Sequence, residues 1–160
     1  MLQRLDRGQL KFSWEKFSDV AEEILPLFVK HWREVGTEQD RIPLDVDVRR
    51  LLQDERNGHL GVVAARHEGK LVGYVVILMG QHPHHASTRW AQFDGFWLDP
   101  AFRKGLAGYR MLRGAVIALR KKGVKVLTAP VPRTFADGRL LVLFKRLGFD
   151  DNEILFRKVL

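Results

Sequence analysis

The sequence contains no cysteine, which removes disulfides, thiolate zinc sites and cysteine nucleophiles from consideration. No apolar run approaches the ~20 residues needed to span a bilayer; the longest candidate, residues 71–79, has the length of a strand. The opening Met1-Leu2-Gln3-Arg4-Leu5-Asp6 lacks the apolar core of a secretory leader. A cytoplasmic location and no membrane partner are therefore expected. Repeats and low-complexity linkers are missing too, so residues 1–160 are read as one domain. A chain of this length buries roughly 68–70% of the surface it exposes when unfolded, enough for one core. With 46% hydrophobic and 29% charged residues, neither disorder nor a fibrous repeat fits.

What the sequence does have is a lopsided charge. Residues 1–100 carry 13 Lys and Arg against 15 Asp and Glu, whereas residues 101–160 carry 14 against 4. A basic C-terminal part suits a polyanion: nucleic acid, an anionic membrane or a phosphate-rich cofactor. A merely solubilising surface is the plain alternative, and charge alone does not choose.

Periodicity supplies the elements. Residues 10–12 read as a short strand. Phe17, Val20, Ala21, Ile24, Phe28, Trp32 and Val35 recur at helical spacing, and Pro26 predicts a kink or a break into two helices. Asp45 or Asp47 can cap a second helix running to about Asn57. Residues 60–66 and 71–79 flank His67-Glu68-Gly69-Lys70, a hairpin signal. Residues 90–98 read as a strand, 108–122 as a helix closed by Gly123, 124–129 as a strand, 137–147 as a helix with Asp137 as its N-cap, and 153–160 as a final strand. This order predicts an α/β fold with a mixed, mostly antiparallel sheet flanked by about four helices.

The most informative stretch joins the strand ending at Trp97-Leu98 to the helix that begins near Gly108. Between them lie Arg103-Lys104-Gly105-Leu106-Ala107-Gly108, followed by Tyr109. Unpaired N–H groups and the dipole at a helix start attract phosphate oxygens, and glycines let the backbone approach a ligand closely. A tight turn with glycines chosen only for geometry explains the same residues.

Arg103 to Gly108 resembles the acyl-CoA pyrophosphate loop of the GNAT acetyltransferases, written R/Q-x-x-G-x-G/A, with Leu106 where most members have glycine and Gly105 one residue earlier. Trp32, Arg41-Ile42-Pro43-Leu44-Asp45, His84-His85-Ala86-Ser87-Thr88 and Ala91-Gln92-Phe93-Asp94 are similar to a bacteriophage-type subgroup of that family. Leu147-Gly148-Phe149 resembles the family's usual C-terminus.

The resemblance implies transfer of an acetyl or other acyl group from acetyl-CoA to a primary amine by direct attack, with a small-molecule or peptide acceptor. It implies cofactor contacts from Trp97, Leu98, Arg103, Lys104, Gly105, Leu106, Ala107, Gly108 and Tyr109, with a backbone N–H near Trp97 or Leu98 stabilising the oxyanion. It also allows a homodimer. An amine with pKa near ~10.4 must lose a proton before attacking, and Asp94, the only acid between Glu68 and Asp99, is the candidate base. Alternation places Asp94 with Gln92 and Phe96 on one face; pairing of Asp94 with Arg89 or a backbone amide is the competing role. The family's leaving-group acid, a tyrosine four residues before the Leu-Gly-Phe glycine, is replaced by Phe144. His84 and His85, beside His82 and Pro83, are read as lining the substrate loop or as plain exposed loop, and no metal site is expected. Two other functions remain open. Phe144 favours a non-catalytic acyl-CoA binder or phage accessory protein on the same fold, and the basic C-terminal part a nucleic-acid-binding protein, ranked last for want of a reader motif.

Overall fold

Glu68 and Gly69 both adopt positive φ, 50° and 82°, the backbone that a two-residue hairpin turn requires. They join β2 (Leu60–His67) to β3 (Lys70–His82). The computed structural model describes residues 9–132, 138–151, 153 and 155–160. Its five strands stand in chain order. β1 (Lys11–Glu15), β2, β3 and β4 (His85–Leu98) are antiparallel, and β5 (Val124–Thr128) runs parallel to β4. This is the mixed, mostly antiparallel sheet that the element order predicts.

Both faces of the sheet are covered, which is why β2 and β3 read as near-continuous apolar runs rather than alternating ones. On one face α1 (Phe17–Val35) lays Phe17, Val20, Ile24 and Leu27 against Val62, Ala64, Tyr74, Val76 and Trp97, with α2 (Val48–Arg56) beside it. On the other, α3 (Ala107–Lys121) sets Met111, Leu112, Ala115 and Leu119 on Val63, Val75, Ile77 and Phe93, and α4 (Arg139–Arg146) adds Phe144. Asp47 caps α2 by accepting from Arg50 N–H at 2.9 Å. No described helix is long and apolar enough to cross a membrane.

Three expectations change. Pro26 does not divide the first helix, which runs unbroken from Phe17 to Val35. An interior proline costs roughly 3 kcal/mol, but Ile24 before it and Leu27 after it are both buried on the sheet, each contributing roughly 1.5–3 kcal/mol. Residues 153–160 form no strand among the described residues. Leu155 and Phe156 are 79% and 88% exposed, and a strand persists only when its backbone finds a partner edge. The third is the histidine loop, which is the end of a long hairpin. His82 and His85 pair across the turn Pro83-His84, so only His84 lies off the strands. The N-cap assigned to Asp137 falls outside the described residues.

Candidate active site

Two features of β4 make the site. The first is a bulge: Ile77 pairs with Phe93 and Val76 with Gly95, leaving Asp94 as the extra residue. Bulges re-aim side chains. Phe93 and Phe96 consequently both face the α3–α4 side, with ring centroids 6.5 Å apart and Phe96 edge-on to Phe144 at 5.7 Å. Asp94 turns to the α1–α2 side. The simple alternation that grouped Asp94 with Phe96 is thus broken at Gly95.

The second feature is a parting of strands. β4 and β5 are paired from Arg89↔Val124 to Gln92↔Thr128 and no further. Asp99 N–H bonds to Val72 O at 2.8 Å. Since successive N–H groups of a strand point to alternate neighbours, those of Trp97 and Gly95 face β3, and those of Leu98 and Phe96 face the open edge. Gln92, on the last paired rung, meets Thr128 Oγ1 at 3.5 Å.

On the α1–α2 side a cavity of about 410 Å³ reaches Asp94 and Gly95. Its helical wall is Phe28, Trp32 and Val35 from α1 and Leu51 from α2; its floor is Tyr74 and Val76 from β3; Leu44 and Val46 edge its mouth. Tyr74 Oη and His31 Nδ1 are 2.7 Å apart, and Phe28 packs edge-on to Tyr74 at 5.0 Å. Asp94 shows solvent on one side, yet the protein packed around it disfavours the ionised carboxylate and raises its pKa. Burial, and secondarily the Asp94 charge, raises that of the Tyr74 phenol. Desolvation lowers that of His31, opposed by the Glu34 carboxylate.

Beyond the open edge, Asp99 accepts from Ala101 N–H at 3.0 Å and starts a single 3-10 turn (Pro100–Phe102). The chain then reaches Gly105, with φ 63°, and enters α3 at Ala107. The first N–H groups of that helix have no intrahelical acceptor. A Cβ on Gly105 or Gly108 would meet nothing within 4 Å, so the space before the helix is open to a ligand. Lys104 and Leu106 are exposed there, and Tyr109 is half-buried in the first turn.

Arg103 behaves differently from the other loop residues. Its Nη atoms meet the Glu34 carboxylate at 2.5 and 2.7 Å, its Nε donates to Leu98 O at 2.6 Å, and its guanidinium lies 5.7 Å from the centre of the Trp97 ring. Trp97 Nε1 donates to the same carboxylate at 2.8 Å. These contacts hold Glu34 well ionised, with a lowered pKa. The Arg103 side chain and the Trp97 indole therefore tie the loop and β4 to α1 through Glu34.

His84 and His85 line neither the cavity nor the open edge. They sit at the hairpin tip, where His85 stacks on Trp90 at 6.2 Å, about 30 Å along the strand from Asp94 at ~3.3 Å per residue. Among the described residues, no group of three His, Cys, Asp or Glu could hold a metal ion.

Sequence reading missed His31, Glu34 and Tyr74. A signal existed: Val20, Ile24, Leu27, His31 and Glu34 continue one stripe at spacings of four and three, so two polar residues extend a buried apolar row.

Residues 20–149 match the family model described as "Acetyltransferase (GNAT) family". No curated protein matches the sequence. Among solved structures, the chain is similar to the ribosomal-protein-alanine N-acetyltransferase of Brucella melitensis biovar Abortus 2308, with 16% identity, TM-score 0.69, and 95% of this chain and 99% of that one covered. It is also similar to the aminoglycoside acetyltransferase HMB0005 from an uncultured soil metagenomic sample (14%, TM-score 0.73, 95% and 99% covered). A third likeness is to a GCN5-related N-acetyltransferase of Ralstonia eutropha JMP134 (14%, TM-score 0.72, 94% and 99% covered). Identities this low establish a shared fold alone, and they lend no support to a bacteriophage-type subgroup. With the family match spanning most of its length, the chain belongs to the GNAT acetyltransferase family.

Proposed function

We propose that this protein is an N-acetyltransferase that moves an acetyl group from acetyl-CoA to a primary amine by direct attack. The observation that carries the reading is the placement of two openings on one strand. The open edge of β4 leads to the α3 N-terminus, and the cavity behind Asp94 meets the same strand at its bulge.

Acetyl-CoA supplies the activated thioester. The unpaired amides of the first turn of α3, beside the unobstructed Gly105 and Gly108, suit a diphosphate. The N–H groups of Leu98 and Phe96 face the parted edge, where they can receive charge that develops on the carbonyl oxygen. Asp94 takes the amine proton, and its raised pKa makes it a better base than an ordinary carboxylate. The amine nitrogen bonds to the acyl carbon, the C–S bond breaks, and the electron pair leaves on sulfur. Phe144, 6% exposed and packed between Phe96 and Phe149, offers that sulfur no proton, so it departs as thiolate and is protonated by solvent.

The same Phe144 favours the second reading, an acyl-CoA binder without turnover. Thiol release from acetyl-CoA with a panel of amines separates the two. Turnover that falls steeply in Asp94→Asn supports the enzyme. Calorimetric CoA binding with no amine-dependent release, unchanged by Asp94→Asn, supports the binder. Absence of CoA binding removes both.

A further inference from the structure

We infer that the acceptor is a small primary amine borne on a flat apolar body, an arylalkylamine, seated in the cavity between α1, α2 and β3 with its nitrogen at Asp94. This deepens, and rests on, the acetyltransferase reading.

The cavity's polar inventory is short. Asp94 has no hydrogen-bond or ion-pair partner among the described residues, and only desolvation perturbs it. Asp47 is engaged as the cap of α2. Arg50 is held on Asp54 by its Nε at 3.0 Å. Tyr74 Oη and His31 Nδ1 satisfy one another; in the Nε2–H tautomer of the imidazole the phenol donates to Nδ1, and the phenol oxygen can still accept one substrate N–H. At the bulge, one carboxylate and one phenol oxygen therefore face the occupant and suit a single ammonium group; the other lining carboxylate, Asp47, stands at the start of α2 with one oxygen already in its cap.

The remaining surface is aromatic and aliphatic. Phe28, Trp32 and Tyr74 offer ring faces and edges, and Leu44 and Val46 add aliphatic surface. Rings of this kind pack an aromatic body and attract an adjacent cation. A polyhydroxylated or polycationic amine would bring more donors and charges than Asp94, Tyr74 and the remaining Asp47 oxygen can match, each unmatched one at a desolvation cost.

The test compares kcat/KM for phenethylamine and tryptamine with that for spermidine, kanamycin and a short peptide with a free N-terminus, using the full chain and acetyl-CoA. Arylalkylamines are expected to lead by about tenfold or more, the effect of one or more unpaired polar groups. Leu44→Glu, at a loop position that is 37% exposed, is expected to shrink that lead at least severalfold by adding a carboxylate to the mouth, while acetyl-CoA affinity stays the same. A lead for spermidine, kanamycin or the peptide overturns the inference and leaves the acetyltransferase reading standing. If no amine is turned over, phenethylamine binding is followed by calorimetry with and without CoA: saturable binding weakened by Leu44→Glu upholds the ligand class while the enzyme reading fails, and no binding ends both.

Discussion

The clamp between Glu34 and Arg103 can be measured as a coupling energy. Arg103 resembles a cofactor-loop arginine in sequence, yet it makes a two-pronged contact with Glu34 across 69 residues of chain, and Glu34 also accepts from Trp97. The side chains are 40% and 37% exposed, so solvent screens them, and exposed pairs contribute only ~0.2–1 kcal/mol. The two-pronged geometry and the indole bond place this pair near the top of that range, about 1 kcal/mol. Urea unfolding of wild type, Arg103→Ala, Glu34→Ala and the double variant at pH 7 gives the coupling directly. The Glu34 pKa is depressed below its usual 4.5. Its stabilisation is thus complete above about pH 4.5 and fades as pH falls through the lower folded value, so the coupling should be equal at pH 7 and pH 5.5 and smaller under more acidic conditions. CoA affinity in Arg103→Ala should change by less than about threefold, because the guanidinium is already committed. Two results would refute this reasoning: a coupling near zero, or a salt-sensitive tenfold loss of CoA affinity with unaltered stability. The first means that the pair does not hold the loop to α1, the second that the guanidinium leaves Glu34 for the phosphates.

Asp94→Asn should separate stability from catalysis. Because burial raises the Asp94 pKa, the ionised carboxylate destabilises the fold once pH rises through the unfolded and then the folded value, so the variant should melt higher than wild type at pH 7 and equally at pH 3.5, while amine-dependent thiol release falls by about 10²–10⁴. Equal melting at pH 7, or undiminished turnover, would count against Asp94 as a desolvated base. Gly61→Val tests the close approach of β1 and β2: a Cβ at Gly61 would lie 2.1 Å from Trp14 Cζ2, and displacing the indole should cost roughly 1–3 kcal/mol, lowering Tm by about 2–4 °C per kcal/mol. An unchanged Tm would show that Trp14 moves aside freely.

How much of this was legible in the residues follows from the range of the forces involved. The hairpin at Glu68-Gly69, the cap at Asp47 and the helix closed by Gly123 depend on neighbours within a few residues, and each stands where local pattern puts it. Pro26 misled because a local penalty was set against burial of Ile24 and Leu27 on strands distant in sequence. The closing strand misled for the complementary reason: the apolar residues of 153–160 suit a strand, but local composition carries no information about an edge for it to join.

The site divides along the same line. Asp94 and the residue 103–108 loop were visible because residue type and spacing mark them. The bulge that turns Asp94 away from Phe96 was not, because it exists only in the register between β3 and β4. Nor was the pairing of Arg103 with Glu34, which stands 69 residues upstream on a helix. That pairing has a structural consequence. The carboxylate of Glu34 joins the loop before α3, through Arg103, to the helix that walls the cavity behind Asp94, and Trp97 anchors the same carboxylate to β4 between them. One charged side chain thus ties together the α3 loop, β4 and the helix that walls the cavity behind Asp94, which explains why a polar residue occupies the end of an otherwise apolar stripe.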